Sequence, residues 1–314
     1  MKKVVFALIA LFFTIKMTAQ ESQTAYNFLR LPISAHVAAL GGENITIADD
    51  DPTLIFHNPA LIGGVTDKSI NLNYMTYMKG TKTASASFVK AAGERATWGV
   101  MAQYMDYGDI VETSIDGIRL GKVSAKDIMV GGTFQYFLGD LWSGGISGKF
   151  ISSNLAGYNA VALGVDLGLN YLDEERGWSL SAVAKNLGGQ VKAYNDEHEK
   201  IPLDVQIGVS KRFDKAPIRI SATMSRLNNW EGRFINHFAL GADVFLGQNI
   251  YVAGGYNFRR ADEMKISDNE GSSAHGAGLS IGGGLQLQRF KLNVAYAKYH
   301  VSASSLLINA SYSL

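Results

Sequence analysis

The chain has 314 residues, 47% of them hydrophobic, with 34 glycines, 5 prolines, no cysteine and a formal net charge of +1. Without cysteine there can be no disulfide, thiolate metal site, thiol nucleophile or lipid-bearing N-terminal cysteine, and the near-neutral charge makes no case for nucleic acid as a partner. Many glycines beside few prolines suit long strands with crowded positions better than a loop-rich chain.

At the N-terminus Lys2 and Lys3 precede an uncharged apolar run over 4–15, and small residues follow at Thr18 and Ala19. This is the layout of a secretory signal peptide over 1–19, although Met17 departs from the usual small residue before the cut. Lys16 and the shortness of the run argue against a permanent transmembrane helix. The mature chain is expected to leave the cytoplasm.

The next segment, 20–66, fits no sustained period. Pro32, Gly41, Gly42, Pro52 and Pro59 break any helix longer than about two turns. Yet Phe28, Leu29, Ile33, Val37, Leu40, Ile45, Ile55, Phe56, Leu61 and Ile62 are too apolar for a free tail. The expectation is a compact plug of turns and a short helix, packed inside a cylinder built by 67–314.

From 69 onward one pattern repeats. Val161, Leu163, Val165, Leu167, Leu169 and Tyr171 alternate with Ala160, Ala162, Gly164, Asp166, Gly168 and Asn170. That is the period of strands with one apolar face and one polar or tiny face. Such runs fall near 69–78, 83–90, 96–105, 126–138, 142–153, 160–171, 178–187, 201–212, 217–226, 236–246, 250–257, 276–287, 290–299 and 305–314. Most approach the ~9–11 residues that a tilted strand needs to cross a bilayer. Links after even-numbered strands are short, whereas 106–125, 188–200, 227–235 and 258–275, after odd-numbered ones, are long and charged. Short turns on one rim and long loops on the other are the build of outer-membrane barrels. Aromatics such as Tyr74, Tyr77, Trp98, Tyr104, Trp142, Trp178, Tyr251, Tyr296, Tyr299 and Tyr312 cluster near strand ends, as interfacial girdles do. The chain stops on a strand that a closed barrel would pair with the first. The expected fold class is all-β: a transmembrane antiparallel β-barrel of about 14 strands with an N-terminal plug in its lumen.

Catalytic signals are weak. Gly148-Lys149 lies inside an alternating strand and lacks the glycine turn of a phosphate loop, and Ser147 lacks the second glycine of a nucleophile elbow. The six histidines never fall at the spacing of a helical zinc pair. No catalytic residue, metal or cofactor is expected. The adjacent carboxylates Asp49, Asp50 and Asp51 repel one another and call for a cation, an arginine partner or solvation; the turn ahead of Pro52 accounts for them without a metal. Asp166, Asp204, Arg219, Lys291 and Asn293, on the polar face of strands, are expected to line the lumen. The loops 227–235 and 257–275 carry Trp230, Arg233, Arg259 and Arg260, of the types most enriched in binding hot spots. These four are candidate partner-binding residues, on a surface that is extracellular if both termini are periplasmic.

The run Tyr26-Asn27-Phe28-Leu29-Arg30-Leu31-Pro32, then Ser34-Ala35-His36, Ala38-Ala39-Leu40-Gly41-Gly42, the aspartate run and His57-Asn58-Pro59-Ala60-Leu61, resembles the plug of the PorV/PorQ family. That family is related to the FadL transporters, which share an Asn-Pro-Ala plug element and a fourteen-stranded barrel. Lys185-Asn186-Leu187-Gly188 and Ile201-Pro202-Leu203 resemble it too. The plug motif is carried by Pro32, Gly41, Gly42, Asp49, Asp50, Asp51, Asn58, Pro59 and Ala60. His36 stands where relatives often carry arginine, which puts a carboxylate pairing there in question. The resemblance implies a non-enzymatic outer-membrane component of the type IX secretion system of Bacteroidetes-type bacteria. Its expected partners are PorZ-like, PorU-like and PorV-like proteins and outer-membrane lipid, with no nucleic acid. The alternatives are a FadL-like transporter of small hydrophobic molecules and a PorV-like carrier of cargo sorting domains.

Overall fold

The computed structural model describes residues 24–314 apart from 79, 196, 231, 269–270, 274–275 and 301–302. The expected signal peptide therefore lies outside the described residues.

The strands are β1 (Ser69–Thr76), β2 (Lys82–Ala91), β3 (Ala96–Thr113), β4 (Arg119–Phe137), β5 (Trp142–Leu155), β6 (Tyr158–Asp173), β7 (Trp178–Lys192) and β8 (Asp204–Arg212). They continue as β9 (Ile218–Met224), β10 (Phe238–Leu246), β11 (Ile250–Asn257), β12 (Ile266–Asp268), β13 (Gly271–Ser273), β14 (Leu279–Gln286), β15 (Phe290–His300) and β16 (Ala303–Ser313). All but β12 and β13, a small hairpin, form one closed barrel of neighbouring antiparallel pairs. Closure is made by β1 on β16, from Ser69↔Ser313 to Met75↔Leu307, so no edge is left unpaired in a medium without water.

The alternation explains each face. Along β6, Leu163, Leu167 and Leu169 are exposed on the outside while Ala160, Ala162, Asp166 and Asn170 are buried inside. The odd-numbered side chains thus face lipid, as their pattern predicts. Inward positions elsewhere are mostly Ser, Thr, Asn and Gln, among them Asn71, Ser87, Gln103, Thr133, Ser147 and Asn309, so the lumen is a hydrogen-bonding surface.

The turns between β2 and β3, β4 and β5, β6 and β7, β8 and β9, β10 and β11, and β14 and β15 are short and share a rim with the start of β1 and the end of β16. Two expectations are corrected here. The segment 106–125 is not a loop: β3 and β4 stay paired to Thr113↔Arg119, with a register shift after Asp106, as a ribbon beyond Lys82 at the start of β2. Its upper part is wet on both faces and so lacks the alternation that marks the wall. Nor do all the end-of-strand aromatics join a girdle. Trp98, Tyr104, Trp142, Trp178 and Tyr312 point outward, but Tyr251 stacks on His36 inside and Tyr77 and Tyr299 pack against the plug. Each of those three occupies an inward position of the alternation.

Candidate functional site

The segment before β1 threads the lumen from rim to rim. At the long-loop rim Ala25 N donates to Lys200 O; at the short-turn rim Asp67 Oδ1 accepts from Ala91 N. Between them lie 3-10 turns at Asn27–Arg30, Pro52–Phe56 and Pro59–Gly64 and one short α-helix, Ala35–Ala39. Each has a local cause. Ser34 Oγ caps the helix by accepting from Val37 N, and Gly41 and Gly42, at φ 96° and 90°, turn the chain back after it. Asp51 Oδ1 accepts from Thr53 N, Asn58 Oδ1 from Ala60 N, and a proline follows each cap where its missing N–H costs nothing. Asn58 also donates to Ile45 O at 3.0 Å, tying two plug strands of irregular backbone together.

The plug is apolar at heart and polar at its skin. Val37, Ala38, Leu54, Ile55 and Ile62 are fully buried. Plug backbone carbonyls accept from wall side chains: Phe28 O from Gln103, Ile33 O from Asn309, Gly41 O from Asn257, Pro52 O from Ser87 and Ala60 O from Ser143. Wall glycines allow the close approach. A Cβ on Gly168 would lie 2.2 Å from Asn58 Oδ1, and one on Gly255 would lie 2.4 Å from Gly41 N.

Ion pairs bolt plug to wall. Arg219 on β9 grips Asp49 with two parallel hydrogen bonds of 2.7 and 2.8 Å and donates through Nε to Asp243 of β10 at 2.7 Å. His36 lies between the same carboxylates, with Nε2 2.7 Å from Asp243 and Nδ1 3.4 Å from Asp49, and stacks on Tyr251. Burial by itself would push the Asp49 carboxyl up; the Arg219 charge and its hydrogen bonds outweigh that and hold it well below the usual carboxylate range. Lys291 of β15 pairs with Asp50 at 2.5 Å, and Asp51 accepts from Ser34 Oγ. The aspartate run therefore finds an arginine, a lysine and a pair of caps. His36 thus keeps a carboxylate pairing, and the guanidinium beside it comes from the wall. His57 Nε2 accepts from the backbone N–H of Ile33 and Ser34, and burial, followed by the charges of Lys185 and Lys149, pushes its pKa well below the ordinary value.

Thus Pro32, Gly41, Gly42, the three aspartates, Asn58, Pro59 and Ala60 come together as one packed unit. Asp166, Asp204, Arg219, Lys291 and Asn293 face inward as expected. Asp243 was not anticipated, although its register with Ala239 on β10 put it on the inner face. The four loop candidates separate. Trp230 is 58% exposed and stacks with Phe234, and Arg233 is at the surface. Arg260 is buried, against the expectation for a docking side chain, and Arg259 is turned toward Glu263 at 3.4 Å.

Cavities remain at both ends of the plugged lumen. At the long-loop mouth one of about 790 Å³ is lined by Tyr26, Phe28, Tyr77, Met105, Tyr107 and Tyr194. Tyr107 OH donates to Asp127 at 2.6 Å, Ser153 Oγ donates to the other oxygen of Asp127, and Tyr194 OH donates to Ser153. Burial pushes the Tyr194 phenol up to about 12, so it remains a donor. A second mouth cavity, of about 710 Å³, is lined by Arg30, Lys200, Arg226, Arg259, Arg260 and two glutamates. A third, of about 690 Å³, opens at the short-turn rim below Asp49 and Arg219.

No family model matches the chain, and no curated protein sequence does. Solved structures do. The toluene transporter TodX of Pseudomonas putida superposes with a TM-score of 0.58 at 14% identity, over 90% of this chain and 97% of its own. The monoaromatic hydrocarbon channel CymD gives 0.58 at 14% identity over 91% and 98%, and a FadL homologue of Pseudomonas aeruginosa gives 0.54 at 11% over 89% and 98%. The fold is that of the FadL-type outer-membrane barrels.

Proposed function

We propose that this protein is a sealed outer-membrane barrel that works as an anchor, serving the attachment complex of a type IX secretion system by holding a PorZ-like partner at the cell surface. The observation that carries this reading is the set of ion pairs from Arg219 and Lys291 to Asp49 and Asp50, which fasten the plug to the wall toward the short-turn rim of the lumen. A bolted plug suits a rigid platform, and the plug motif that makes these pairs is the part of the chain resembling the PorV/PorQ family. The outward features available for docking are Trp230, Arg233 and Phe234 on the loop between β9 and β10, and Ile115, Ile118 and Leu120 on the β3–β4 ribbon.

The test is purification of the tagged protein from its own outer membrane. PorZ-like and PorU-like proteins are expected to accompany it, and the joint change of Trp230→Ala and Arg233→Ala with trimming of the ribbon tip is expected to release them while the barrel still assembles. Undiminished retention would move the docking face elsewhere.

A second reading, a channel for small hydrophobic molecules, is favoured by the aromatic mouth cavity and by the likeness to the toluene transporter TodX and the monoaromatic hydrocarbon channel CymD. It predicts saturable binding of a monoaromatic hydrocarbon to the purified barrel, weakened by Tyr107→Ala, with no partner protein required.

A further inference from the structure

The second mouth cavity is lined by cations from four separate segments: Arg30 of the plug, Lys200 before β8, Arg226 after β9, and Arg259 and Arg260 of the helix Phe258–Glu263. Glu43 and Glu263 are the carboxylates that line it. Glu263 is already engaged, 3.5 Å from Arg226 and 3.4 Å from Arg259. Glu43 accepts from Gln206 at 3.0 Å, and burial, then the nearby Asp204, push its carboxyl up, which weakens it as a counter-charge.

Arg260 is the telling residue. It is only 6% exposed, yet its acceptors are the neutral oxygens of Ala277, Gly278, Leu279 and Ser280. Its guanidinium carbon lies 4.7 Å from the centre of the Tyr299 ring, and Nη1 has no acceptor among the described residues. That nitrogen lies 3.6 Å from where a Cβ on Gly42 would be, and Gly42 lines the cavity. Arg30 Nε is likewise buried without an acceptor, and burial, then the charge of Arg226, lower its pKa. A buried cation held only by dipoles, beside others of its own sign, is costly unless an anion completes it.

We propose that this cavity is a binding site for a multiply charged phosphate group, held by Arg30, Lys200, Arg226 and Arg260. Guanidinium forks match phosphate oxygens in pairs, and an excess of several cations calls for more than one negative charge. The site adjoins the aromatic cavity, with which it shares Thr24, Asn27, Leu31 and Tyr77, but its cations lie outside that cavity's lining, and it stands whichever function above holds. The phosphate can belong to a soluble molecule or to the headgroup of an outer-leaflet glycolipid.

The probe is pyrophosphate, titrated calorimetrically into the full-length barrel in neutral detergent at low salt. One saturable site per barrel is expected, weakened roughly tenfold or more by Arg30→Gln and by Arg226→Asn, the latter chosen because residue 226 has a positive φ of 57°. Heat-modifiable gel mobility confirms that each variant is folded, and Lys200→Gln, at an exposed loop position, gives a change that leaves the plug untouched. Absence of pyrophosphate binding, or native affinity retained in all three variants, overturns the proposal. Competition by a diphosphorylated glycolipid in mixed micelles, but not by its dephosphorylated form, assigns the site to the headgroup; pyrophosphate binding that the glycolipid leaves unchanged assigns it to a soluble ligand. Equal competition by the dephosphorylated lipid counts against the site.

Discussion

The wall and the plug are stabilised by opposite means. The wall satisfies its backbone strand to strand and turns apolar side chains outward, so its stability comes from closure and from lipid. The plug has almost no ladder of its own. Its carbonyls borrow donors from Gln103, Asn309 and Ser143, its apolar side chains form a miniature core, and its charges are bolted to Arg219 and Lys291. A polar lumen is what allows this: the face that the alternation turns away from lipid becomes the partner of the plug. The two regions should therefore fail independently.

The sharpest separation is Arg219→Ala. It leaves the fully buried Asp243 with His36 as its remaining partner and removes the two-bond grip on Asp49, a loss of about 3–5 kcal/mol for a broken buried pair. The plug should become protease-sensitive while heat-modifiable mobility of the barrel persists. The converse change is Val165→Arg, which places a charge on the lipid face near mid-strand and should cost about 2–4 kcal/mol of barrel stability in bilayers. Wild-type stability there would refute the face assignment.

A smaller effect follows from Asn58→Ala, which leaves Ala60 N and Ile45 O without their side-chain partner, about 1–3 kcal/mol for a buried group left unsatisfied. Limited proteolysis of the N-terminal segment should detect it, again with the barrel intact. The smallest is a pH effect at His57. Its folded pKa lies below the unfolded one, so its contribution is complete above about pH 6.5. As pH falls below that value the unfolded state takes up the proton first, and stability drops by at most about 1.4 kcal/mol per pH unit until the folded pKa is reached. Plug protection should decline from pH 7 to 5.5 in the native chain and stay flat in His57→Gln.

Most of the wall was legible because alternation records which side of a bilayer-spanning strand each residue occupies. The β3–β4 ribbon was not, since a hairpin with water on both sides leaves no such record. The plug could be recognised from its prolines, caps and apolar content, but not its bolts: Asp49 and Arg219 are 170 positions apart. Arg219 and Lys291 could be placed in the lumen by parity alone, without a partner. Arg260 was misjudged because composition places an arginine in a loop, whereas the short helix Phe258–Glu263, capped by Asn257, turns it inward.

The seal itself is open to direct measurement as ion conductance of the purified protein in a planar bilayer. The native barrel should be silent, and the double change Arg219→Ala with Lys291→Ala should produce openings as the plug loosens. Steady conductance through the native protein, or continued silence of the variant once its plug is protease-sensitive, would contradict a lumen closed by ion pairs between plug and wall.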